Sequence, residues 1–126
     1  MSEVNTIFIG AGAAGLAVSA SLKQAGIPNI ILEQSNNVGA TWRKHYDRLH
    51  LHTDKRNSGL PYAPMPRVFP RYPSRDQVVE YLENYAKQFE LDIRFDEQVT
   101  SAKRIDGQWQ VQTESTLHTA PNLVVA

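Results

Sequence analysis

Hydrophobic and polar positions change rhythm several times along this chain, and each change marks an element. Val4 to Ile9 is a short, apolar, β-branched run, the pattern of a strand buried on both faces of a parallel sheet, and Gly10 ends it. From Ala13 to Ala25 the alanines with Leu16, Val18 and Leu22 predict a helix with a small-residue face. Gly26 stands where a left-handed cap would close that helix, with Pro28 just beyond. Asn29 to Glu33 returns as a second buried strand through Ile30, Ile31 and Leu32. Strand, helix and strand in so short a span predict a right-handed βαβ crossover.

Regularity then stops. From Gln34 to Pro73 no clean helical or strand period is found, and prolines, aromatics and basic residues accumulate instead. A long irregular stretch inside a compact domain is usually functional. Order resumes at Ser74, where Ser-Arg-Asp-Gln has the form of a capping box with Gln77 reaching back. Val78, Leu82, Tyr85, Ala86 and Phe89 then mark one helix face, and Tyr81, Tyr85 and Phe89 read as core residues at helical spacing. Asp92 to Phe95 predicts a third parallel strand. Val99–Ile105, Gln108–Thr113 and Thr116–Thr119 predict a β-meander with Gly107 in its first turn, and Leu123 to Ala126 begins another buried strand. No internal repeat or low-complexity tract interrupts this order.

Composition adds limits. The chain of 126 residues is 41% apolar with zero formal net charge, which fits one soluble globular domain spanning 1–126. Nothing in that balance draws it to nucleic acid or to an anionic membrane. With no cysteine, disulfides, thiolate metal sites and thiol nucleophiles are all excluded within these residues. The apolar stretch Ile7–Leu22 has only Glu3 as a charge upstream and carries glycines in its first half, so neither a signal peptide nor a membrane span is expected. A cytoplasmic location is the expectation.

Chemistry concentrates where the first strand meets the first helix. Gly10-Ala11-Gly12-Ala13-Ala14-Gly15 is a G-x-G-x-x-G run. In that context the first glycine permits the tight turn and the second lets a pyrophosphate approach the backbone at the helix N-terminus. The third lets the helix pack closely on the sheet. Glu33 follows eighteen positions after Gly15 at the end of the second strand, where a carboxylate accepts hydrogen bonds from an adenosine ribose and repels a 2′-phosphate. FAD or NAD, rather than NADP, is therefore expected at this loop, and the bland alternative is a glycine-rich turn with no ligand. The long loop, single helix and meander inserted before the chain returns to the sheet match the order of two-dinucleotide flavoproteins and favour FAD. The fold class predicted is α/β: a Rossmann-type parallel sheet in order 3-2-1-4 with a meander on one edge or face.

Residues from Gly39 onward carry a resemblance. Gly39-Ala40-Thr41-Trp42, Tyr46-Asp47-Arg48-Leu49-His50-Leu51-His52, Leu60-Pro61, Met65-Pro66, Phe69-Pro70 and Tyr72-Pro73-Ser74 with Gln77, Tyr81-Leu82 and Tyr85-Ala86 resemble the flavin-containing and Baeyer–Villiger monooxygenases. The match is closest to the branch of plant auxin-biosynthetic flavin monooxygenases and covers essentially the whole chain. The resemblance implies that Gly10, Gly12, Ala13, Ala14 and Gly15 form the pyrophosphate cradle and that Glu33 holds the ribose. It places Gln34 beside the adenosine, Gly39, Thr41 and Trp42 along the pyrophosphate and flavin side, and the Val99 backbone near the adenine. His52 stands where many animal-type members carry an asparagine close to the flavin.

The resemblance also implies an NADPH-dependent monooxygenase that oxygenates a small organic substrate through a C4a-peroxyflavin, with no catalytic side chain needed among these residues. Val124-Val125-Ala126 matches the start of an Ala-Thr-Gly segment, and the second glycine motif for NADPH is not found here. The expectation is therefore an N-terminal FAD-binding part of a longer flavoprotein, with the NADPH site elsewhere. By itself it would be inactive and able to associate with itself through an exposed strand edge. The alternatives are a non-catalytic nucleotide-binding module and another FAD-dependent pyridine-nucleotide oxidoreductase.

Two local patterns admit two readings each. His50 and His52, two apart, would share a face if extended, as a zinc pair does, but no third ligand is placed beside them. Flavin-side packing for His52 and a surface position for His45 are the other reading. Arg43, Lys44, Arg48, Lys55 and Arg56 outnumber Asp47 and Asp54, and either meet phosphates of FAD or NADPH or form a solvated loop.

Overall fold

The computed structural model describes residues 4–45 and 48–126. Strand β1 (Thr6–Ile9) leads into helix α1 (Ala13–Gln24) and strand β2 (Asn29–Leu32), the predicted crossover. Gly26 adopts φ +76°, and the amides of Gly26 and Ile27 donate to the carbonyls of Lys23 and Leu22 at 3.0 and 2.9 Å, so α1 ends in a Schellman cap as its sequence predicts. Helix α4 (Arg75–Gln88) starts with the expected capping box: Ser74 Oγ accepts from the Gln77 amide and the Gln77 side chain accepts from the Ser74 amide.

Four strands form the parallel sheet. Its order is β3 (Ile93–Arg94), β2, β1 and β7 (Asn122–Val125), which is the predicted 3-2-1-4 arrangement. The register sets Ile7 beside Ile30 and Phe8 beside Ile31. Neighbours in register share a face, so the two faces separate cleanly. Phe8 and Ile31 pack with Leu16 and Ala20 of α1 and Val78, Leu82 and Tyr85 of α4. Ile7, Ile30 and Leu32 pack against Val111 and Ala120. Those two belong to the antiparallel meander of β4 (Val99–Ile105), β5 (Gln108–Thr113) and β6 (Leu117–Ala120), which therefore covers a face of the sheet. The layers run helices, parallel sheet, meander.

The irregular stretch differs from expectation in containing two single-turn helices, α2 (Ala40–Arg43) and α3 (Lys55–Ser58). Four residues are too few to show a hydrophobic period, and tertiary contacts hold this segment instead. Ala63, Met65 and Phe69 insert into the helix-side core. Residues 49–55 run against 71–75 through backbone bonds from Leu51 to Pro73, Arg75 to Leu49 and Lys55 to Arg71. Tyr81 takes the Leu60 amide on its hydroxyl at 2.8 Å and donates to the Ala63 carbonyl, while the Tyr85 hydroxyl donates to the Pro61 carbonyl at 2.8 Å. These hydroxyls clamp a turn in which Tyr62 sits at φ +70°. Burial pushes the Tyr85 phenol up to about 12 and also raises that of Tyr81, so both stay protonated donors.

His118 on β6 pairs with the fully buried Val111, so it shares the core-facing side of the meander. Its Nε2 is buried and makes no hydrogen bond among the described residues. Burial lowers its pKa; Glu97 pulls the other way and Arg94 reinforces the fall. A histidine with a folded pKa below its unfolded one binds its proton more readily when the chain is unfolded. The stability it permits is complete above the ordinary histidine pKa and is lost as pH falls below it. Urea midpoints measured between pH 7.5 and 5 should fall in the native chain and fall less in His118→Phe. Equal slopes would remove His118 as the source.

Candidate functional site

The three glycines of the loop meet three different surroundings. Gly10 adopts φ +108°, its amide donates to the Leu32 carbonyl at 2.9 Å, and a Cβ there would lie 2.7 Å from the Ala126 carbonyl oxygen. At Gly15 a Cβ would lie 2.4 Å from the Gly10 carbonyl oxygen. Both positions are glycine because protein backbone fills the space. Gly12 is the opposite case: it is the N-cap of α1, has extended backbone at φ −83° and ψ −178°, is exposed, and has no atom within 4 Å of where a Cβ would be. Nothing inside the protein requires glycine at this position. The open space lies at the helix N-terminus, where the first-turn amides of Gly12, Ala13 and Ala14 have no intrahelical acceptors and the helix dipole favours an anion.

Glu33 follows β2 and is only 8% exposed. Its Oε1 accepts from the Ala11 amide at 2.8 Å and its Oε2 from the Ser35 amide at 2.9 Å. Burial would raise this carboxyl, but the hydrogen bonds from Ala11 and Ser35, with Lys44 attracting from nearby, outweigh it and hold the pKa below the ordinary carboxylate value. The Ser35 side chain approaches the carboxylate as well as its amide, and the two oxygens together offer about four acceptor sites. Glu33 shares a cleft with Gly10, Gln34, Val99, Glu97 and Gln98 at the carboxyl end of the sheet. That end is where open α/β sheets bind ligands. Glu97 and Gln98 carried no motif in the sequence. They reach the cleft because the Glu97 amide donates to the Glu33 carbonyl at 2.9 Å and the Asp96 amide to that of Ser35.

Gly39, Thr41, Trp42 and His52 do not line this cleft. Gly39 caps α2 at φ +76° and faces Leu82 and Val79 of α4. Thr41 is exposed, whereas Trp42 packs on the helix-side core with its ring edge-on to His45 at 5.0 Å. His52 is exposed between His50 and α3. Within the basic loop, Arg43 is engaged by Glu83 and by the Val38 carbonyl, and the Lys55 ammonium by the carbonyls of Arg67 and Phe69. Tyr46 and Asp47, part of the motif noted above, lie outside the described residues. Among the described residues no cluster of three or more histidine, cysteine or carboxylate groups could hold a metal, and no helix is long and apolar enough to cross a membrane.

Known proteins resemble this arrangement in sequence and in fold. The family described as pyridine nucleotide-disulphide oxidoreductase matches residues 7–126. A probable indole-3-pyruvate monooxygenase of Arabidopsis thaliana, YUCCA3, is 45% identical over 114 residues, covering 88% of this chain and 26% of its own length. The chain thus spans about a quarter of that curated relative. A flavin-containing monooxygenase from Stenotrophomonas maltophilia superposes with TM-score 0.92 at 26% identity, over 100% of this chain and 38% of its own. An oxidized steroid monooxygenase bound to NADP superposes with TM-score 0.89 at 28% identity, over 99% of this chain and 26% of its own. By its sequence, the chain belongs to the family described as pyridine nucleotide-disulphide oxidoreductase.

Proposed function

We propose that residues 1–126 form the FAD-binding domain of an NADPH-dependent flavoprotein monooxygenase acting on a small organic substrate, with NADPH bound outside these residues. The observation that carries this reading is the open cradle at Gly12, reserved for something other than protein, beside a buried carboxylate with acceptor capacity to spare. The first-turn amides of α1 would hold the pyrophosphate and Glu33 the adenosine ribose hydroxyls, with Gln34 and the Val99 backbone beside the adenosine. Gly39, Thr41, Trp42 and His52 would lie toward the flavin. Bound FAD supplies hydride acceptance from NADPH and activation of O₂. These residues bind and orient it, and Trp42 and the buried loop anchors Met65 and Phe69 keep water from the helix-side core. The disulphide chemistry in the family's description has no counterpart here, because the chain has no cysteine. A reducing, cytoplasmic setting agrees with that composition.

Titration of the FAD-free chain with FAD, followed by flavin fluorescence, tests the cofactor site. The chain should bind FAD in competition with ADP, and Glu33→Ala should weaken FAD by about 1–3 kcal/mol, the range for unpairing a buried polar contact. Unchanged affinity in Glu33→Ala would remove that residue from the site. For activity, the full-length protein should consume NADPH and O₂ with an oxygenated product. Indole-3-pyruvate is the first substrate to try, on the strength of the name of the YUCCA3 relative. NADPH loss without oxygenated product for any small substrate would mark an oxidase or reductase instead.

A further inference from the structure

Glu33 makes contacts that a ribose acceptor alone does not need. Its two oxygens bridge the Ala11 amide, inside the glycine loop, and the Ser35 amide, beyond β2. Ala11 is 2% exposed, so without Glu33 its amide would be a buried donor lacking this acceptor. The same segment is tied to the far wall of the cleft: the Glu33 amide donates to the Arg94 carbonyl at 2.9 Å and the Glu33 carbonyl accepts from the Glu97 amide at 2.9 Å. Ala11 lies between Gly10, set by the tight turn, and Gly12, the helix N-cap. Fixing its peptide fixes the direction of the amides that follow.

We propose that Glu33 is a positioning residue for the pyrophosphate, its carboxylate locking Ala11 so that the glycine loop holds its anion-binding shape before any ligand arrives. This rests on the FAD reading above and adds to it a link between the ribose subsite and a phosphate subsite that Glu33 does not itself touch. The ionised form is essential to the lock. Glutamine offers one acceptor oxygen to two amide donors and turns an NH₂ donor toward the other. The consequence runs against simple electrostatics. Removing a negative charge close to an anion site should tighten anion binding, whereas releasing the loop should weaken it.

Inorganic pyrophosphate, which has no ribose, separates the two effects. Calorimetric titration of the chain and of Glu33→Gln with pyrophosphate should show about ten-fold weaker binding in the variant, as expected for loss of a charge-assisted bond. Unchanged or tighter pyrophosphate binding in the variant would overturn the proposal. Amide hydrogen exchange on the ligand-free chains gives an independent readout. Exchange at Ala11 should be about ten-fold faster in Glu33→Gln, with α4 unchanged, and equal rates at Ala11 would overturn the lock. If native chain binds neither ADP nor pyrophosphate, the FAD reading fails, while the exchange result still decides the lock. Should Glu33→Gln not fold, the amide shifts of Ala11 and Ser35 in the native chain take its place. Both should move with a single midpoint as Glu33 is protonated, and a flat Ala11 shift would reject the coupling.

Discussion

Gly12→Val is expected to abolish FAD binding while leaving the fold in place. The Cβ of the new side chain meets no protein atom within 4 Å, and φ −83° with ψ −178° suits any L residue. The cost to folding is limited to exchanging a tolerated N-cap for a poor one, at most about 1 kcal/mol. The isopropyl group, however, occupies the space through which a pyrophosphate would reach the first-turn amides of α1. Without that approach the hydrogen bonds and the dipole contribution are lost together. FAD affinity should fall at least about 100-fold, equivalent to about 2.7 kcal/mol. Flavin content after reconstitution, with urea unfolding of the ligand-free chain as a control, measures both sides. Full FAD content in a variant with native stability would place the cofactor elsewhere.

Gly15→Val should do the reverse and damage the fold first. Its Cβ would lie 2.4 Å from the Gly10 carbonyl oxygen and 3.4 Å from the Ala126 Cβ. The close neighbour is backbone at the end of the central strand, so it cannot turn aside as a flexible side chain would. Valine recovers a few tenths of a kcal/mol of helix preference over glycine, but forcing bulk into a packed interior typically costs about 1–3 kcal/mol, and occasionally more. The loss should stand near the upper end because α1 must lift from β1, opening the layer that buries Leu16 and Ala20. The urea midpoint should drop clearly in ligand-free chain. A midpoint at or above the native one would mean that α1 rides farther from the sheet than this packing implies. Two glycines three residues apart therefore separate experimentally: one variant loses ligand with the fold intact, the other loses stability even without ligand.

Local patterns determined a large share of this protein. The βαβ unit, the Schellman cap at Gly26 and the capping box at Ser74 follow from short-range chemistry: buried strands read as apolar runs, and caps need particular side chains at fixed offsets. The aromatic spacing in α4 likewise placed Tyr81 and Tyr85 in the core. Their hydroxyls were not legible in that spacing. Only the folded chain shows that they clamp Leu60 to Ala63, because the partners lie some twenty residues away and the turn they hold, with Tyr62 at φ +70°, contains no glycine signal. The short helices α2 and α3 escaped for the same reason, since single turns exist through tertiary support and leave no period. At the cleft, Glu33 was legible from its distance to the glycine loop. Its bond to Ala11, and the entry of Glu97 and Gln98, depend on how strand ends from distant parts of the chain meet at one edge of the sheet. The sequence by itself determined the strands and the two long helices and marked the glycine loop and Glu33 as the candidate dinucleotide site. The expected roles of the three glycines follow from their order in the loop. Only the tertiary structure shows that backbone crowds Gly10 and Gly15 and leaves Gly12 open, because that is a property of neighbouring atoms and not of residue type.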